Sequence, residues 1–145
     1  MKTVLPFLFV FFTAISYSQT ERMWEKIEDA QFITAANASS FESYENTLES
    51  VLNYFFASQI RKDEEWKKVF IPSEDWSERI QYKMEKYAQW TITEFNLVSK
   101  TEFEPGKFWV KVNIEITING KTDGGIDQAE VQFINGKWII TSVPT

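Results

Sequence analysis

Asp127, Asp123, Tyr44 and Ser99 are among the side chains through which this chain could do chemistry, because it contains neither histidine nor cysteine. Imidazole triads and dyads, thiolate nucleophiles, His-ligated metals and Cys zinc sites are thereby excluded. No cofactor or metal site is expected. What remains is acid–base work by a carboxylate with a tyrosine hydroxyl, or a few polar groups set in an apolar pocket. A carboxylate on an apolar sheet face is costly to bury unless paired or hydrated, so Asp127 and Asp123 mark the mouth or floor of a cavity. In an enzyme, Asp127 would be the general base and Tyr44 its partner. In a binding domain, Ser99, Asp127, Trp138, Tyr44 and Phe55 would line the pocket.

The elements that place these residues are read from turns. Asn119-Gly120 and Asn135-Gly136 each lie between alternating apolar and polar residues, the pattern of a tight β-hairpin. In a two-residue hairpin the flanking residues pair and share a face. Ile118 should then meet Lys121, Ile116 Asp123, Ile114 Gly125, Val112 Asp127, Val110 Ala129 and Phe108 Val131. The second hairpin pairs Ile134 with Lys137, Phe133 with Trp138, Val131 with Ile140 and Ala129 with Ser142. A third turn at Glu104-Pro105-Gly106-Lys107 pairs Phe103 with Phe108, Leu97 with Ile114 and Phe95 with Ile116. One inner face results. Its polar rows are Ser99, Val112 and Asp127, and then Thr101, Val110, Ala129 and Ser142. A bulge at Gly124-Gly125 is the competing expectation, turning one or both aspartates to solvent. On the outer face, Trp109 with Ile139 and Val143 would make a modest dimer contact.

Upstream the period is 3.6. Ser39 and Glu42 form a capping-box pattern, and Phe41, Tyr44, Leu48, Val51, Leu52, Phe55, Phe56 and Ile60 follow helical spacing, so a helix is expected over 40–61. A short helix over 63–70 would end at Pro72. Ser73 would cap a third, with Trp76, Ile80, Met84, Tyr87 and Ala88 buried. Residues 19–38 are weakly patterned and fit either a short helix or a loose lead-in. Helices followed by an antiparallel meander read as α+β.

Residues 1–18 have the form of a secretory signal peptide: Lys2, an apolar run over 4–15, and Ser16-Tyr17-Ser18 before a cut at Ser18/Gln19. The run is short for a membrane span. With no cysteine to carry a lipid, a lipoprotein anchor is not expected. A periplasmic or secreted protein with no disulfides is expected, stabilised by packing alone. Lys2 is the one charged residue of the leader, so the remainder carries 21 acidic and 14 basic side chains, net −7. That balance disfavours nucleic acid and anionic membrane surfaces. The 127 residues that follow are enough for one domain, placed at 39–145 after the lead-in at 19–38.

The long helix with Phe41 to Ile60, the Trp66–Phe70 segment, the Trp76–Ala88 helix and the ending from Ala129 through Asn135-Gly136-Lys137-Trp138 to Val143 resemble the nuclear transport factor 2-like (SnoaL-like, cystatin-like) superfamily. The nearest likeness is to small exported bacterial members of unknown function. The resemblance implies N-terminal helices on a curved antiparallel four-stranded meander, a cone-like α+β roll with a pocket between helix and sheet. It also implies varied roles: isomerases, dehydratases, cyclases, binding domains and dimerisation modules. The dehydratase-type His–Asp pair has no counterpart, since the chain lacks His. The leading expectation is a non-catalytic exported domain that binds a small apolar molecule or a protein partner. The alternatives are a carboxylate acid–base enzyme of isomerase or dehydratase type using Asp127, and a homodimer formed through the sheet.

Overall fold

The computed structural model describes residues 23–145. The expected leader and cleavage point lie outside them. The chain is α+β. Two short strands, β1 (Glu25–Lys26) and β2 (Ile33–Thr34), precede helix α1 (Leu48–Arg61) and helix α2 (Glu78–Gln89). Four long strands come next: β3 (Thr91–Glu104), β4 (Lys107–Ile118), β5 (Lys121–Ile134) and β6 (Lys137–Ser142). They form a curved, unclosed antiparallel sheet ordered β1-β3-β4-β5-β6, with β2 also paired to β3. Among the described residues the sheet therefore has six strands and not four, because residues 23–38 of the lead-in supply two short strands rather than a helix or a loose segment. Its two short strands satisfy the free edge of β3, where Glu25 meets Lys100 and Ile33 meets Phe95.

The first Asn-Gly hairpin has the register read from the sequence, from Ile118↔Lys121 through Val112↔Asp127 to Phe108↔Val131. Asn119 and Gly120 both take positive φ, 51° and 77°, which sets the primed turn that matches strand twist. The second hairpin agrees from Ile134↔Lys137 to Val131↔Ile140. It then slips by one residue, so Ser142 opposes Glu130 and not Ala129.

The β3–β4 pairing departs further. Glu104 opposes Lys107, but register shifts near Phe103, Val98 and Thr93 displace the rest of the ladder. Phe95 meets Ile114 rather than Ile116, and Leu97 meets Val112 rather than Ile114. Each bulge adds one residue, and one residue reverses the face. Between two bulges, Ser99 therefore opposes Lys111 and Thr101 opposes Trp109, on the outer face, while Lys100 opposes Val110 on the inner face. The rows that joined Ser99 to Asp127 and Thr101 to Ala129 do not form. Lys100 instead reaches across to Glu49 of α1, Nζ to Oε1 2.6 Å.

Helix α1 begins at Leu48, not near Ser40. Thr47 caps it by accepting from the Ser50 N–H at 3.1 Å, and Ser50 Oγ accepts from the Glu45 N–H at 2.8 Å. The preceding Ala38–Phe41 is a single 3₁₀ turn. Asn46 explains the gap. Its side chain donates to the Gly136 carbonyl and accepts from the Trp138 N–H, so this stretch is held to the last hairpin. The segment expected as a second helix is a 3₁₀ helix, Glu65–Val69. Ser77, not Ser73, caps α2 through the Ile80 N–H at 3.2 Å. A 3₁₀ turn at Ser73–Asp75 separates them.

The core lies between α1 and the inner face. Phe55, Phe56, Phe95, Val51, Leu52, Val110, Val112, Val131 and Ile140 are all fully buried. Phe56 stacks on Phe95 at 4.0 Å, and Phe55 meets Phe70 and Trp66 at 5.6 and 5.7 Å. After the 3₁₀ helix, Phe70 bridges to Ile140, and the Ile71 N–H bonds the Ile140 carbonyl at 3.1 Å, covering the free edge of β6.

Candidate functional site

Aromatic side chains fill the space under α1, so the open part of the molecule lies elsewhere, where β4 and β5 run on past β6. Residues 121–128 of β5 are exposed throughout. The reason is local. Val143 is fully buried, and its carbonyl accepts from Lys83 Nζ of α2 at 2.8 Å. The same ammonium donates to Ser142 Oγ at 2.9 Å. Pro144 comes next and has no N–H to continue a ladder. Pairing of β6 with β5 thus ends at Ser142, and residues 121–128 stay exposed, with Pro144 and Thr145 beside them.

Two clefts open there and share Asp127, Pro144 and Thr145. The first, about 310 Å³, has an apolar floor of Trp90, Ile114, Ile116 and Ile118 and a rim at Asp123 and Asp127. The second, about 580 Å³, is polar and includes Arg79, Lys83, Glu130, Thr141 and Ser142. Burial holds the Lys83 ammonium below the usual lysine range, and the neighbouring Arg79 charge acts in the same direction. Asp127 and Glu130 oppose that shift from a distance. Among the described residues no carboxylate lies within ion-pair range of Lys83, whose ammonium is held by Ser142 and Val143.

Of the candidate residues singled out in the sequence, Asp127 lies at both clefts. Asp123 joins it on the rim of the first. Both carboxylates are exposed and accept the N–H of the next residue: Gly124 N to Asp123 Oδ1 is 2.8 Å, and Gln128 N to Asp127 Oδ1 is 2.7 Å. They face solvent although the β4–β5 ladder runs unbroken through Gly124-Gly125. Exposure comes from absent cover, not from a bulge. Ser99 is buried beside β1, in a groove with Trp24, Lys26 and Ile27. Tyr44 is exposed, with its ring 4.6 Å from Tyr54. Phe55 is sealed in the core, and Trp138 packs on Phe108 and Phe133 at the far end of β5. The site of five does not assemble, nor does a base–hydroxyl pair of Asp127 with Tyr44. The outer patch is also broken, since Val143 is buried and Trp109 stacks on Phe103 at 4.5 Å.

Lys83 is the residue that sequence reasoning passed over. It stands three positions after Ile80 and four before Tyr87, on the apolar stripe of α2. That spacing is the signal by which it is found. Ala88, expected on the stripe, is exposed. Among the described residues no group of acidic side chains is arranged to hold a metal ion, and no helix is long and apolar enough to cross a membrane.

Comparison with protein-family models, with curated proteins and with solved structures finds no match to this chain.

Proposed function

We propose that this chain is an exported binding domain of the nuclear transport factor 2-like type, with its long strands rolled cone-like around α1. Its ligand is a small, mostly apolar molecule with one polar end. The observation that carries this reading is the uncovered apolar floor of Trp90, Ile114, Ile116 and Ile118 next to a polar compartment. Binding sites combine those two properties, and about 310 Å³ is the lower end of their usual size. The apolar body would lie on the isoleucines and the polar end would meet Asp127, Lys83 or Arg79. No reaction is assigned: Asp127 is exposed, its carboxylate is engaged by a backbone N–H, and Tyr44 lines neither cleft.

The test is titration of the purified protein with 1-anilinonaphthalene-8-sulfonate, followed by energy transfer from tryptophan. Ile116→Glu places a charge on the floor and should weaken binding at least about tenfold, an effect of about 1.4 kcal/mol. Native mass spectrometry of protein taken from its producing cells should reveal a retained small molecule. Equal binding by wild type and Ile116→Glu would overturn the assignment to this cleft.

A further inference from the structure

The uncovered stretch of β5 offers a second kind of contact, one that goes beyond ligand binding and does not depend on it. An open strand edge presents unpaired N–H and C=O groups and is a template for another strand. Here the edge runs over 121–128, since β6 pairs with β5 only over Glu130–Ile134.

The turn determines which backbone groups face outward. Ile118 and Lys121 close a two-residue hairpin and exchange their hydrogen bonds, and such pairs alternate along the ladder. Lys121, Asp123, Gly125 and Asp127 therefore bond to β4, while Thr122, Gly124, Ile126 and Gln128 point to the open side. The side-chain bonds agree. Gly124 and Gln128 are the residues whose outward N–H groups the Asp123 and Asp127 carboxylates hold in the single chain, and a pairing strand would exchange those bonds for its own carbonyls.

The sequence of this edge, Lys-Thr-Asp-Gly-Gly-Ile-Asp-Gln, fits itself in one antiparallel register. With a two-fold axis at Gly124, Thr122 of one copy faces Ile126 of the other, and outward groups meet outward groups. Lys121 then opposes Asp127, twice, while Asp123 opposes Gly125. Moving the axis to Gly125 sets Asp123 against Asp127. Moving it to Asp123 sets that aspartate against itself. Both neighbouring registers place like charges opposite each other, which is destabilising. Ile126, 63% exposed, also gains cover.

We propose that two copies of this chain pair antiparallel through β5, centred on Gly124, with reciprocal Lys121–Asp127 contacts. Opposed residues share a face, so the isoleucine floors of the two copies come to lie on one side of a continuous sheet. The interface is small, and its affinity belongs to the weak, transient class.

Sedimentation velocity over a concentration series up to roughly 300 µM, the range in which weak small interfaces fill, tests this. Wild type should move from monomer to dimer mass. Lys121→Asp and Asp127→Lys should each stay monomeric, and the double exchange should restore the dimer. Amide exchange on wild type needs no variant: Gly124 and Ile126 should slow at least about tenfold between the dilute and concentrated ends. A monomer throughout, a dimer indifferent to both single exchanges, a double exchange that fails to recover, or unchanged Gly124 and Ile126 rates would each overturn it.

Discussion

Tyr87→Phe should stabilise this protein, although it removes a polar group from a well-packed site. Tyr87 is almost fully buried on α2, with its ring 5.1 Å from Trp90, 6.3 Å from Phe55 and 6.4 Å from Phe56. Its hydroxyl has no hydrogen-bond partner among the described residues. A buried hydroxyl without a partner forfeits about 1–3 kcal/mol of hydration. Phenylalanine keeps every ring contact and leaves a void of one oxygen, which at about 24 cal/mol per Å³ costs a few tenths of a kcal/mol. The net gain is about 1 kcal/mol, or about 3–5 °C in Tm for a domain of this size. A second arm uses pH. Burial, and then the Asp127 charge, hold the Tyr87 phenol well above its ordinary range. The unfolded chain releases this proton near pH 10 while the folded one retains it, so wild-type stability falls above that pH by about 1.4 kcal/mol per unit. The variant lacks this component, and its advantage should widen from pH 10 upward. Urea unfolding followed by circular dichroism at pH 7 and across pH 9–11 measures both arms. A variant less stable than wild type at pH 7, with no widening above pH 10, would show that the hydroxyl is satisfied and refute the reasoning.

Gly124→Ala should cost about 1–3 kcal/mol, because a Cβ there would stand 2.8 Å from the Ile114 carbonyl oxygen and 3.2 Å from the Glu115 Cα, neither of which can swing aside; urea midpoints against Gly125→Ala, where nothing lies within 4 Å, isolate the clash. Lys83→Ala should lower stability by about 2 kcal/mol by stranding Ser142 Oγ and the Val143 carbonyl, and should speed amide exchange at Val143. Asp63 accepts from Arg61 Nε at 2.8 Å and from the Glu65 N–H at 3.1 Å, and it bonds Ser58 Oγ. Burial raises its pKa, but these bonds outweigh it and hold the carboxyl below its usual range. Its contribution is therefore present above pH 4 and lost as pH falls through the folded value, so the stability gap to Asp63→Asn should close on acidification below about pH 4.

How much was legible in the sequence differed from strand to strand. Asn-Gly turns set register over short distances, and the β4–β5 pairing follows from one of them without error. The β3–β4 turn closes as expected at Glu104↔Lys107, yet three bulges then move Ser99 and Thr101 to the other face. Nothing local marks those bulges, since alternation continues on either side of each. Helix starts failed for a related reason. Ser39 and Ser73 have good capping chemistry, but Asn46 is held by a distant hairpin and the Trp76 indole N–H by the Ile71 carbonyl at 3.0 Å. Tertiary partners decided both boundaries. Of the site, Asp127 was found and its exposure was among the expectations, but the cause lies in Lys83 and Pro144, which act from other elements.

The Asn46 clip also bears on the order of folding. Its amide joins the N-terminal approach of α1 to residues 90 and 92 positions downstream. Closing a loop of that length costs entropy that one side chain cannot repay, so the clip forms only after the β5–β6 hairpin has docked on the core. The first turn of α1 should then share the opening free energy of the final hairpin, as one cooperative unit drawn from opposite ends of the fold. The start of α1 would be among the last of the described parts of the molecule to become fixed.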